Sequence, residues 1–389
     1  MSADVSADVV RRHRRAVSAL FFCQGFAFAA LITRIPAIQE KFGLSDGQLA
    51  GLLALVPIVA GVGSVVAGNL AVRFHSAVVL RICGIGVSLS IVIVGAATDA
   101  GSLPLLLLGL VFLGFGLGSV DATMNMQGIG VQALAGRSIM ASFHAWWSLA
   151  TILGAVGASI AAATSLSLFG FMVIVAVILI PIQLVAGPRL VRSRVADHAG
   201  PDPLAASSAV PWRPLLVFGA AVVGAFVIDS SVSNWSAVDL VSVQGATESV
   251  AALAYAAYAV AMLSGRLVTD RLVVSRGPTP VIWVGSIVAA VGLVGVALAP
   301  GEGFAIASFA VVGLGLSPVL PLAFTAAARH DPQHTGIAVA RVNVGNYIGF
   351  VLGAPLVGVI AEFSSLRVGF GILAFVALAI GATAKSFSR

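Results

Sequence analysis

The feature that most constrains this chain is a succession of apolar runs, each about as long as a bilayer core is thick. A helix that crosses hydrocarbon needs about 20 consecutive apolar residues. Runs of that length fall at 17–38, 47–71, 77–97, 103–128, 138–163, 166–187, 214–235, 249–272, 279–299, 303–327, 336–361 and 366–384. Little is left over to build a soluble surface. Charged residues make up 9% of the chain and hydrophobic residues 59%, where a soluble domain carries roughly 25% charged residues. The mean hydropathy of +1.07 is too high to be hidden inside a soluble core, which always needs polar cover. The expected fold class is an all-α membrane protein with twelve transmembrane helices.

The connections between runs are short except one. Between the sixth and seventh lies GPRLVRSRVADHAGPDPLAASSAVPWRP, rich in Pro, Ala, Ser and charge and without helical periodicity. It divides the chain into a cytoplasmic tail (1–16), a six-helix bundle (17–187), a cytoplasmic linker (188–213) and a second six-helix bundle (214–389).

Basic residues set the orientation. With the N-terminus inside, seventeen Arg and Lys lie at cytoplasmic ends and loops. Three (Arg34, Lys41 and Arg367) lie near the outer face, and Arg341 falls within a run. Cytoplasmic loops carry such an excess, so both termini are expected inside, in a multi-pass protein of the cytoplasmic (inner) membrane. The same bias accounts for a net charge of +6 without nucleic acid, because no basic patch is interleaved with aromatics. The segment after Arg15 is too long, and lacks the small-residue cleavage site, for a cleaved signal peptide. Cys23 and Cys83 both sit in apolar stretches, which supports neither a disulfide framework nor a thiolate metal site. There is no phosphate-binding P-loop, no HExxH and no GxSxG turn. An ATP-driven pump and an embedded hydrolase are thereby disfavoured. No catalytic residue, metal or cofactor is expected.

The halves repeat. Gly68-Asn69-Leu70 matches Gly265-Arg266-Leu267 at an offset of 197. Gly114-Phe115-Gly116-Leu117 matches Gly313-Leu314-Gly315-Leu316, and Leu153-Gly154-Ala155 matches Leu352-Gly353-Ala354, both at 199. Parallel six-helix repeats joined by a linker describe a carrier in which one half rocks against the other.

On these features the chain resembles the major facilitator superfamily over essentially its whole length. Arg-Leu-Val-Thr-Asp-Arg at 266–271, after Gly265, is similar to that superfamily's loop signature between helices two and three or eight and nine. The resemblance implies that Asp270 and Arg271 clamp cytoplasmic helix ends, with Asp270 available to a neighbouring helix's N-terminal dipole. In the first copy Val72 stands where the acid is expected, so the N-terminal clamp should be the weaker. RIPAIQEKFGLSD at 34–46, DATMNMQ at 121–127 and SFHAWWS at 142–148 further resemble a bacterial subgroup near the fucose–proton symporters. Those symporters use carboxylates on helices one and four. Asp121 matches the second, whereas helix one here offers Gln24 and Arg34 and no acid.

Ionisable residues at membrane depth cost at least about 2.5–3.5 kcal/mol each on insertion scales, so they mark the candidate site. Asp121, His144 and Arg341 lie about five to seven residues from cytoplasmic helix ends and form an inner layer. Arg34 and Asp229 form an outer layer on helices one and seven. The expected proton-coupling residues are Asp121, His144 and Asp229, and the expected gating residues are Arg34, Asp229, Arg341, Asp270 and Arg271. Gln24, Asn125, Ser148, Asn343, Asn346 and Tyr347 are polar residues on presumed cavity faces and are the expected substrate contacts. Trp235 reads as an interfacial anchor. Tyr255 and Tyr258, spaced i, i+3, suit cavity lining or packing equally.

The function these readings support is secondary active transport of a small solute by alternating access. The first expectation is proton-coupled import (symport) of a polar solute by a monomer. The alternative is proton-driven export of an amphipathic compound or drug, favoured by the many aliphatic and Phe side chains. The expected partners are the small-molecule substrate, protons and the lipid bilayer.

Overall fold

The structure is a computed structural model, and it describes residues 7–164, 166–191, 208, 210–331 and 333–388. Most of the expected linker, with Arg192 and Arg194, lies outside the described residues, as do 1–6 of the tail and Arg389. In chain order the helices are α1 (Ala7–Ile32), α2 (Ile35–Phe42), α3 (Asp46–Phe74), α4 (Ser76–Ala100), α5 (Leu103–Ala135), α6 (Met140–Ala163) and α7 (Leu168–Ala186). They continue with α8 (Trp212–Ser242), α9 (Glu248–Arg276), α10 (Pro278–Ala297), α11 (Glu302–Leu316), α12 (Val319–Ala328), α13 (Ile337–Phe363) and α14 (Leu366–Ala382). Among the described residues twelve segments are long and apolar enough to cross a membrane, α1–α2 and α11–α12 each forming one. The protein is a multi-pass membrane protein.

Helix ends follow local chemistry. Ser45 and Gln48 form a reciprocal capping box at the head of α3, with Ser45 N–H donating to Gln48 Oε1 at 3.0 Å and Gln48 N–H to Ser45 Oγ at 3.3 Å. Ser167 caps α7 by accepting from Gly170 N–H at 3.1 Å. Gly43, Gly101 and Gly136 close α2, α4 and α5 in the left-handed conformation that lacks a Cβ penalty. Within the spans, backbone groups are bonded inside each helix, the only open-ended structure hydrocarbon tolerates besides a closed barrel. Large side chains such as Phe363 and Phe375 stand 84% and 72% exposed. Exposure of such side chains suits lipid, and not water, as their solvent.

Several boundaries differ from the sequence reading, among them the end of α5, which runs to Ala135 and not to 128. The first helix starts at Ala7 and not at 17, so the described part of the expected tail is helical. It ends at Ile32, and a turn at Thr33 and Arg34 separates it from α2, which carries a Pro in its first turn. The seventh span runs to Ser242 and not to 235. Pro318 does more than kink its helix, because α11 stops at Leu316 and α12 restarts after it.

The chain forms two compact units. One gathers the described residues of 1–139, 146–210 and 331–341, and the other those of 140–145, 211–330 and 342–389. Each is built on the same neighbour scheme. In the first, α5 packs on α3 and α4, and α7 on α4 and α1; in the second, α11 packs on α9 and α10, and α14 on α10 and α8. The glycines of the repeat explain this. A Cβ at Gly114 would lie 2.7 Å from the Val56 carbonyl oxygen, and one at its counterpart Gly313 2.2 Å from that of Tyr258. Gly154 presses likewise on the Phe26 carbonyl at 2.7 Å, and Gly353 on that of Val227 at 2.4 Å. Small residues let backbones approach where no hydrophobic drive operates between helices. The two units reach equivalent contacts by equivalent residues.

Candidate functional site

In the first unit the candidate site is a polar strip on α1 and α5. Gln24 is buried on α1 and its side-chain amide donates to Asp121 Oδ1 at 3.4 Å. One turn on from Asp121, buried Asn125 donates to the Asp121 carbonyl at 2.8 Å. The spacing i, i+4 explains why both face one way. Ser148 is buried on α6, where Thr151 donates to its carbonyl at 2.8 Å. Arg341, at the start of α13, donates to the Val210 carbonyl at 2.6 Å and feels the charge of Asp331. Buried Asp331 organises the loop before α13, accepting from Thr335 Oγ1 at 2.9 Å and Gly336 N–H at 2.7 Å. Arg34 is buried beside the α1–α2 turn. Its Nη2 donates to the Leu166 carbonyl at 3.2 Å, and its Nη1 has no hydrogen-bond partner among the described residues.

The second unit holds the denser cluster. The Tyr258 hydroxyl donates to Asp229 Oδ1 at 2.5 Å, joining α9 to α8. Arg266, buried two turns further along α9, acts electrostatically on Asp229, Tyr258 and Tyr255. Its Nη1 donates to the His144 carbonyl at 3.4 Å. His144 is buried at the head of α6, and its ring stacks on Phe324 at 6.0 Å and 14°. Asp270 caps the same helix head, accepting from Ala141 N–H at 3.1 Å and Ser142 N–H at 2.8 Å. A carboxylate at a helix N-terminus satisfies orphan donors and the positive dipole end together. Arg271, its neighbour, is exposed. On α13 the Asn346 side-chain amide donates to Asn343 Oδ1 at 2.9 Å, and Tyr347 is half-buried a turn beyond Asn343.

Several expectations need correction. Asp229 is not near a helix end, because α8 extends to Ser242 and leaves it close to the middle. Arg34, by contrast, lies in the turn between α1 and α2. Asp121 and Arg341 belong to the first unit and His144 to the second. Trp235 is more than an interfacial anchor, since its indole donates to the Ala354 carbonyl at 2.9 Å and ties α8 to α13. Tyr258 and Arg266 were not among the expected site residues. Their spacing with Met262 (i, i+4, i+8) was the available signal, for it places all three on one helical face. Asp239, fully buried on α8 within reach of the charge of Arg367, also escaped notice because it lies beyond the expected helix end. Among the described residues no three His, Cys, Asp or Glu side chains gather as a metal site.

Comparison with known proteins places this architecture. Residues 20–335 and 221–387 match the family model of the Major Facilitator Superfamily. The chain is 30% identical to an uncharacterized MFS-type transporter of Yersinia pestis over 373 residues, covering 95% of this chain and 94% of the other. Among solved structures it is similar to FucP, the E. coli fucose:proton symporter, in the outward conformation (TM-score 0.79, 17% identity, 96% of this chain and 98% of that one). It is also similar to the human organic anion transporter MFSD10 (TM-score 0.76, 12% identity, 96% and 99%).

Proposed function

This chain belongs to the Major Facilitator Superfamily of transporters, and from that premise we propose that it is a secondary active transporter that imports a small polar solute together with protons. In this reading it works as a monomer in the cytoplasmic membrane, with both termini inside and two six-helix halves (17–187 and 214–389) exchanging access.

The observation that carries the reading is the Asp229 cluster. A carboxylate that accepts from a phenol and feels the charge of a buried arginine changes what that arginine faces whenever it takes up or loses a proton. Protonation weakens its hold on Arg266, and deprotonation restores it. Such a change is what a coupling proton must produce. Asp121, with Gln24 and Asn125, offers a second carboxylate that needs the same accommodation. His144 is the third proton-coupling candidate, joined to the Asp229 cluster through Arg266. The buried amides and hydroxyls of Gln24, Asn125, Ser148, Asn343 and Asn346, with Tyr347, supply the donors and acceptors a polar solute requires. We assign gating to Arg34, Asp229, Arg341, Asp270 and Arg271. The symport direction draws on the likeness to a fucose:proton symporter.

The test is Asp229→Asn in proteoliposomes. The amide oxygen still accepts from Tyr258, but the site no longer takes up a proton. Accumulation driven by a pH gradient should be lost, while solute exchange without a gradient should continue. Full accumulation by the variant would reject the coupling role.

Export of an amphipathic compound is the second reading. It is favoured by the Tyr255 ring, 44% exposed and stacked on Tyr258 at 5.9 Å, and by the likeness to an organic anion transporter. Uptake into inverted vesicles, where an importer would release its solute, separates the two.

A further inference from the structure

Outside the candidate site, the first unit contains a cavity of about 580 Å³ between the first turns of α1 and the end of α7. Arg11, Arg12, Arg15 and Arg189 line it, with Asp8 as the one acid among the described residues. Asp8 is already ion-paired to Arg11, so three guanidinium charges remain without a paired acid among the described residues that line the cavity. The rest of the wall is apolar, including Ala19, Ile182 and Val185. The shape is held from both sides. His13 Nδ1 bonds to the Arg189 carbonyl at 2.8 Å, and the Arg189 guanidinium donates to the Val185 carbonyl. These contacts tie α1 to the turn that ends α7.

The position of the cavity decides what fits it. From Arg15 to the end of α1 at Ile32 the helix carries no further charged residue and spans roughly 25 Å at 1.5 Å per residue, close to the thickness of hydrocarbon. Arg11, Arg12 and Arg15 therefore lie at headgroup depth, while Ala19 and Ile182 lie at the start of the acyl layer. Guanidinium forks pair with phosphate oxygens in two-point geometry. An arginine-lined, apolar-walled cavity at this depth matches one amphiphile whose charge and chains are stacked in the same order. Its volume falls within the range of small-molecule sites.

We propose that this cavity binds the phosphodiester headgroup of an anionic phospholipid, with the lipid's chains lying against the α1–α7 wall. The site is separate from the proton and solute residues and does not depend on the coupling proposed above. Basic clefts between membrane helices are suited to such headgroups.

The experiment is thermal unfolding of the purified full-length chain in an uncharged detergent, with phosphatidylglycerol, phosphatidylcholine or inorganic phosphate added at equal phosphorus concentration. Phosphatidylglycerol should raise Tm, because a ligand bound to the folded state stabilises it. Phosphatidylcholine and phosphate should raise it much less. In a variant carrying Arg12→Gln, Arg15→Gln and Arg189→Gln, the phosphatidylglycerol increment should vanish and apparent affinity fall at least tenfold. A control carrying Arg73→Gln, Arg137→Gln and Arg276→Gln loses the same charge at exposed positions elsewhere and should keep the increment. If the triple variant does not fold, Arg12→Gln and Arg15→Gln singly should each lower the affinity severalfold. Equal stabilisation by phosphatidylcholine, an equal increment from phosphate alone, or an unchanged increment in the variants would each overturn the proposal.

Discussion

The Tyr258 hydroxyl donates to Asp229 Oδ1 at 2.5 Å, and the rest of that site depends on the bond. Tyr258 is buried, and its ring is fixed by the packing of α9 against α11. Arg266, two turns further along α9, acts on the same carboxylate through its charge. One residue of α9 thus bonds to an acid of α8, and another acts on its charge. Tyr258→Phe keeps the ring and removes only the donor. A hydrogen bond to a charged group is worth about 1.5–3 kcal/mol, so the variant should lose stability of about that size and unfold at lower temperature. Proton-driven accumulation should fall more than exchange. Unchanged Tm together with unchanged coupling would show that the bond contributes nothing.

Asp121 is held differently. Its side chain receives the Gln24 amide at 3.4 Å, a long bond, and its carbonyl receives Asn125. Asp121→Asn should abolish uphill, pH-driven transport and leave exchange partly intact. Gln24→Ala should lower solute affinity without uncoupling protons. Wild-type accumulation by the Asp121→Asn protein under a proton gradient would remove this residue from the coupling scheme.

The twelve spans were legible because an apolar run of bilayer length has few other uses. Their ends were not, because hydropathy falls before the backbone ladder does. The helix of Ala7–Ile32 begins in a segment dense with arginine, and that of Trp212–Ser242 continues past Trp235 to bury Asp239. The breaks at Arg34 and Pro318 were hidden in the opposite way, inside runs that count as continuous. At the site, a lone Asp in an apolar helix announces itself, as Asp229 did. A tyrosine does not, since burying an aromatic ring is ordinary packing. Arg266 was masked by a plausible role in a loop signature, although a position inside α9 makes it a buried cation.

Asp270 makes a separable contribution. It accepts from two backbone N–H groups at the head of α6, at 3.1 and 2.8 Å. Replacing a capping acid with Ala costs about 0.5–2 kcal/mol. Asp270→Ala should therefore destabilise the fold by that order and slow transport, and Asp270→Asn should recover part of both, since its one amide oxygen still accepts from one of the two N–H groups. An Asn variant as damaged as the Ala variant would mean that the charge, and not the cap, is what α6 needs.

The closest backbone approach near the cluster supplies the final prediction. A Cβ at Gly313 would lie 2.2 Å from the Tyr258 carbonyl oxygen and 3.1 Å from its Cδ2. Backbone cannot yield as a flexible side chain does, so Gly313→Ala must push α9 away from α11. Overpacking of this kind typically costs about 1–3 kcal/mol. Here the displaced residue is the one that donates to Asp229, so coupling should suffer along with stability. The repeat provides the control. Gly114→Ala makes the equivalent clash with Val56 at 2.7 Å, in the other unit and away from Asp229. It should lower Tm and leave the ratio of accumulation to exchange unchanged. In a double-mutant cycle, Gly313→Ala should add little uncoupling to Tyr258→Phe, because both act through the same hydrogen bond. Additive uncoupling, or equal uncoupling by Gly114→Ala, would show that α9 displacement does not reach function through Tyr258.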